Sequence, residues 1–339
     1  MKWIGIVLLF IPILIACVYL VYVRGLGVSP TLVSPEVIRI GKKTYKAHWE
    51  IKSPMPTARV GAAAVAIGSR IFVVGGMDGF GRTLGTVELY DTIGDRWTKL
   101  PDLPKPRHHA GAAVLDGVLY VIGGIGGSKS APTSDVYAYY EGSNEWVIKA
   151  SLPTPRSAFA IALMDRSIYA IGGIDTLGET NELDMYRPDT DAWEIKTPAL
   201  TKRDHLEAAG INGKLYVAGG RSGSIGKPLA LLEIYDTVLG NWTFGAPMPS
   251  PRGGIGGVSL EGLFIVAGGE RTAGTFWDME GYDPKSKKWI SFPRLPTARQ
   301  GMGVAAVGST IFTIGGGTHP GFSVSGINEV HVNTGDVSE

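Results

Sequence analysis

A chain of 339 residues with 48 Gly, 8 Trp and 13 Tyr, of which only 19% are charged, has the make-up of short strands joined by tight turns rather than of a helical bundle. Its net charge of +1, with no extended Lys/Arg run, excludes nucleic acid as the main partner, because phosphate binding needs a concentrated basic face. The single cysteine, Cys17, excludes a disulfide framework.

In chain order, the first predicted element is Trp3 to Val23, 21 residues without a charge, bracketed by Lys2 and Arg24. A helix of that length spans a hydrocarbon core of ~30 Å, so residues 1–24 are predicted to be a membrane anchor with a transmembrane helix at 3–23. Leu14 to Cys17, "LIAC", resembles the lipobox of bacterial lipoproteins, which are cut before the cysteine. Val18 to Val23 stays apolar where lipoproteins turn polar, and this favours an uncleaved anchor. With so short an N-terminal side, the expected arrangement is a single pass with the globular part outside the cytoplasm. Residues 25–44, with their Pro and Ser, are predicted to be a linker, and 334–339 a C-terminal tail.

Between them, residues 45–333 repeat. Gly-Gly pairs stand at 75–76, 123–124, 172–173, 219–220, 268–269 and 315–316, spaced by 47 to 49 residues. An arginine precedes each pair by 16 residues: Arg59, Arg107, Arg156, Arg203, Arg252 and Arg299. Five units continue with Tyr90, Tyr139, Tyr186, Tyr235 or Tyr282, and seven residues later with Trp97, Trp146, Trp193, Trp242 or Trp289. The sixth has His331 in the tyrosine slot and ends before a tryptophan. Trp49, in the opening stretch "YKAHWEI", supplies it. A last unit completed from the other end of the chain requires the repeats to form a closed ring. Each unit reads as four strands, the first two a hairpin over turns such as Asp116-Gly117 and Asn212-Gly213. First strands are dominated by Ala, Gly and Val, as suits a crowded axis. Tyr and Trp belong further out, where sheets diverge.

Arg before the first strand, Gly-Gly after the second, then Tyr and Trp closely resemble the kelch repeat, over nearly the whole of 45–333. The resemblance implies an all-β, six-bladed β-propeller closed by pairing of the N- and C-terminal strands, of the bacterial or archaeal exported type. It also implies two kinds of function. One is a binding or interaction module; the alternative is an enzyme like the exported propellers that interconvert sialic-acid anomers, acting on a carboxylated sugar. Kelch-type copper oxidases use a Tyr–Cys radical cofactor, and Cys17 lies in the anchor, so no cofactor is expected.

Features repeated in every blade are read as scaffold. Carboxylates two residues before the tyrosine slot (Glu88, Asp184, Glu233, Glu280, Glu329) are the expected partners of the repeated arginines, since a desolvated guanidinium needs one. Glycine runs have no strand-to-helix context for phosphate, and no metal-ligand spacing is present. A ligand must therefore be read by residues that break the repeat. Positions just after each Arg and each Gly-Gly are expected at one mouth of the channel, because antiparallel pairing brings those ends together. There the candidates are Asp204, His205, Arg221, Glu270 and Arg271, with His108, His109, Gln300 and His319 completing the rim. The expected occupant is a small anionic ligand, for which arginine offers a planar fork, or a protein.

Overall fold

The computed structural model describes residues 36–40, 43–126 and 131–336, and these are strands and turns without a helix. The expected membrane helix at 3–23, with Cys17, lies outside the described residues; among those described, no helix is long and apolar enough to cross a membrane.

Blade 1 consists of Ala63–Ile67, Arg70–Val74, Val87–Asp91 and Arg96–Leu100, side by side in that order. The same order recurs in blades 2 to 5, whose innermost strands are Gly111–Leu115, Ala160–Met164, Asp204–Ile211 and Gly256–Leu260. Blade 6 is Gly303–Val307, Thr310–Ile314 and Asn328–Asp336 from the C-terminal end, then Lys43–Ile51 from the N-terminal end. Trp49 stands opposite His331, as Trp97 stands opposite Tyr90 and Trp193 opposite Tyr186. Innermost strands touch those of both neighbours, blade 6 against blade 1 included, and so enclose a central channel.

Two boundaries differ from the sequence reading. Glu36–Ile40, placed in the linker, pairs antiparallel with Lys43–Ile51 and gives blade 6 a fifth strand. The "EVIRI" segment is rich in β-branched residues, and the outer strand of any blade offers it an unpaired edge. The blade's third strand also runs on to Asp336 rather than ending at 333, because Tyr45 and Lys46 continue to pair with Asp336 and Thr334.

Three circles of hydrogen bonds join the blades and give the repeated residues their work. Outermost, each indole Nε1 donates to a carbonyl of the preceding blade: Trp97 to Ser53, Trp146 to Pro101, Trp193 to Ala150, Trp242 to Thr197, Trp289 to Ala246 and Trp49 to Pro293. In the middle circle, the second glycine of each pair donates to the carbonyl of the next blade's arginine, from Gly76 to Arg107 (2.9 Å) round to Gly316 and Arg59 (2.9 Å). A Cβ on Gly75 would lie 2.3 Å from the Arg107 carbonyl oxygen, which is why glycine is needed at this approach. The innermost circle forms one mouth of the channel and is described below.

All six arginines are fully buried, and they are scaffold. Arg59, Arg252 and Arg299 bond to Glu88, Glu280 and Glu329 at 2.6, 2.7 and 2.8 Å. Arg156 binds Asp184, and Arg203 lies 3.7 Å from Glu233. Blade 2 has Tyr137 where the others carry the acid. Arg107 sets its guanidinium 4.6 Å from that ring and takes Asp135 at 3.4 Å instead. Desolvation lowers the pKa of Arg59, Arg156, Arg203 and Arg299, and the facing carboxylates offset it.

Candidate functional site at the closed mouth of the propeller

The residue two places after each arginine lies at the axis: Gly61, His109, Ala158, His205, Gly254 and Gly301. All six adopt left-handed backbone, with φ between 51° and 63°. Each donates its N–H to the carbonyl of the equivalent residue in the preceding blade, and Gly61 donates to Gly301, at 2.8 to 3.0 Å throughout. The result is a closed hexagon of peptide groups across the channel. Sterics disfavour this conformation for any side chain with a Cβ, so His109, Ala158 and His205 are held there by the ring itself.

As antiparallel pairing requires, Asp204 faces Arg221, His108 faces Ile125, Gly253 faces Glu270 and Gln300 faces Gly317 around this mouth. Arg221 organises the arc over blades 4 and 5. Its Nε donates to Asp204 Oδ1 (2.9 Å) and its Nη1 to Glu270 Oε1 (2.9 Å). Its Nη2 lies 3.0 Å from His205 Nε2. A guanidinium can only donate, so His205 accepts at Nε2 and carries its proton on Nδ1, which bonds Asp204. Burial pushes the Asp204 carboxyl up, but the bond from His205 and the charge of Arg221 outweigh it and hold the group below its ordinary range. Glu270 Oε2 accepts the Gly321 N–H (2.7 Å), and Gln300 Nε2 donates to the Gly321 carbonyl (2.8 Å), so blade 5 clasps the loop of blade 6.

On the other side, the His109 ring lies 5.0 Å from that of His205, and its Nδ1 is 2.5 Å from His108 Nδ1. Burial, with the neighbouring His205, pushes His108 down to about 4 and His109 well below the imidazole range. The pair is neutral and shares one hydrogen. Of the nine candidates, seven therefore join one network. Arg271 and His319 stand outside it on exposed loops, Arg271 over the Phe276 ring at 5.2 Å and His319 beside Thr318.

Around this polar centre stand apolar side chains on loops at the same end of the blades. Asp78 accepts the N–H of Phe80 and of Arg82 at 3.0 Å each, and Asp175 accepts that of Leu177 at 2.6 Å. These side-chain turns present Phe80 and Leu177, which are 86% and 95% exposed. Trp277 and Phe322, on blades 5 and 6, are exposed too. Sequence reading missed all four. The signal available was a bulky apolar residue inside a loop otherwise made of Gly, Asp, Thr and Ser.

A model of the KLHDC2/KLHL20/DRC7 kelch-repeats domain matches residues 37–198 and 149–316, most of the propeller. The chain belongs to the kelch-repeat family. Kelch-like protein terF of Aspergillus terreus is 27% identical over 284 residues, 78% of this chain and 62% of that protein. Mouse Kelch-like protein 23 is 32% identical over 204 residues, 60% of this chain and 36% of the relative. Beta-scruin of Limulus polyphemus is 27% identical over 77% of this chain and 24% of its own length. This kelch propeller thus spans less than two thirds of each of these relatives. Among solved structures, that of YjhT superposes with a TM-score of 0.73 over 85% of this chain and 98% of that one, at 18% identity, a likeness of fold.

Proposed function

We propose that this kelch propeller is a protein-binding module that presents the hexagon mouth to its partner. The observation that carries the reading is the make-up of that face. The hexagon rings the channel, and the Asp204–Arg221–Glu270 arc stands beside it with its polar atoms already paired. Exposed Trp277, Phe322 and Phe80 lie on its rim in the consecutive blades 5, 6 and 1. Aromatic anchors around a satisfied polar centre suit a broad protein surface. The alternative, a sugar-acid enzyme using Arg221 and Glu270, has less support, because all three Arg221 nitrogens are already engaged. The curated relatives, Kelch-like proteins, are longer chains of which this propeller matches a part, in keeping with a module.

We also propose that residues 3–23 anchor the domain in a membrane and that the propeller is displayed outside the cytoplasm, the reading supported by the uncharged 21-residue run. Protease added to right-side-out vesicles is expected to digest the propeller; protection of the domain would reverse the orientation. For the mouth, a photo-crosslinking residue at position 80 or 322 is expected to capture a partner that the same residue at Ile195, on an outer strand, does not. Against the purified partner, a combined Phe80→Ala, Phe322→Ala variant is expected to bind at least tenfold more weakly while Ile195→Ala binds normally. Equal capture from position 195, or unchanged affinity, would move the interface elsewhere.

A further inference from the structure

Behind the hexagon, the channel is a cavity of ≈ 430 Å³ walled by the six innermost strands. From the ring to the far turns these strands read "AAAVAI", "AGAAVL", "FAIALM", "LEAAGI", "IGGVSL" and "MGVAAV". One charged residue stands among them, Glu207 of blade 4, and it lines the cavity. Where Glu207 sits, the other blades carry Ala63, Gly111, Ala160, Gly256 and Gly303. Its side chain is partly exposed to that space and its stem passes Gly257 of blade 5. The carboxyl meets no side-chain partner, the backbone N–H of Ala208 being its one polar contact. Desolvation without a counter-charge raises its pKa to about 8, which favours the neutral acid at pH 7.

A lone carboxyl in an apolar tube is costly unless something repays it, and no repeat of the fold needs it. We propose that the channel is a binding site for a small organic amine, whose ammonium pairs with Glu207 and whose hydrocarbon body lies against the Ala, Val and Ile walls. The chemistry of the walls selects this class. No Arg or Lys lines the cavity, so an anion would meet only a carboxyl and neutral histidines. At pH 7 an aliphatic amine arrives as its ammonium, and on binding Glu207 gives its proton to the buffer to form the tight pair, N–H⁺ against O⁻. Entry is from the mouth opposite the hexagon, where Leu163 and Ser259 of the lining are exposed. This site is distinct from the protein-binding face and does not depend on it.

Calorimetric titration of the full-length protein with benzylamine tests it, with benzyl alcohol and benzoate as isosteric neutral and anionic controls. Benzylammonium is expected to bind at least tenfold more tightly than either. The bound pair holds Glu207 as carboxylate with the amine still charged, so binding at pH 7 is expected to release close to one proton to the buffer. Apparent affinity should then rise about tenfold per pH unit until pH ~8. Glu207→Gln is expected to abolish both the preference for the amine and the proton release, with the circular dichroism spectrum unchanged. Binding of benzylamine no tighter than of benzyl alcohol to the unaltered protein, or the same affinity in Glu207→Gln, would overturn the proposal.

Discussion

The indole Nε1 of Trp49 donates to the carbonyl of Pro293, 244 residues later, at 3.3 Å, and that bond closes the outer circle of the propeller. Trp49 is also buried in a cluster with Phe292, Ile265 and Met302. Trp49→Ala removes a core aromatic and the seam bond together. The expected loss is about 3–5 kcal/mol, read as a fall of roughly 10 °C in the thermal midpoint. An unchanged midpoint would mean that the two chain ends do not share a blade in solution.

His331, facing Trp49, occupies the slot that holds tyrosine in five blades. It is fully buried, neither ring nitrogen has a protein partner, and burial pushes it down to about 4. Tyr90, Tyr139 and Tyr186 each find an Asp or Asn five residues on for their hydroxyl. His331→Phe, which keeps the ring and discards the unpaired nitrogens, is expected to stabilise by about 1 kcal/mol in chemical denaturation.

The six buried arginines are not equal. Arg299 donates to Glu329, to the Thr313 hydroxyl and to the carbonyls of Thr313, Gly315 and Ile327. Arg203 has a carbonyl bond to Val217 and a looser pair with Glu233, and its Nε and Nη1 are unpartnered. Arg299→Ala is expected to cost about 3–5 kcal/mol, Arg203→Ala measurably less. Equal losses in the two variants would contradict this ranking.

At the mouth, Arg221 neutralises two carboxylates, Asp204 and Glu270, that are both buried. Read as a ligand contact alone, Arg221 could be removed without harm to the fold; the geometry says otherwise. Arg221→Ala is expected to destabilise by about 3 kcal/mol at pH 7 and by less at pH 4, where protonation relieves the stranded acids. Arg271→Ala, on the neighbouring surface, should stay within about 0.5 kcal/mol.

Glu207 makes a pH signature of its own. Its folded pKa lies above the unfolded value, so the native state holds the extra proton between about pH 4.5 and 8, and stability falls as pH rises through that window. His108 and His331, lowered to about 4, act in the opposite sense, but only below pH ~6.5. Between pH 6.5 and 8 the protein is therefore expected to lose about 1 kcal/mol per pH unit relative to Glu207→Gln. Parallel stability curves for the two would place Glu207 in water rather than in the channel.

The blade count, the shared sixth blade and the burial of the repeated arginines were legible in the sequence because each is a local rule written several times over. Arg, Gly-Gly, Tyr and Trp recur at fixed spacing, and Trp49 is recognisable by the place left empty beyond His331. Even the mouth positions follow, since antiparallel pairing carries Asp204 to Arg221 whatever the loops do. What only the tertiary structure decided lies between blades. That Arg221 is spent on Glu270 of the next blade, that His109 meets His205 across Ala158, and that six peptides join in a hexagon all depend on how closely neighbouring sheets approach the axis. Glu207 shows the same division. Its charge stands alone in the innermost strands for anyone reading the letters, but its isolation comes from the other blades presenting no Lys or Arg to the same space.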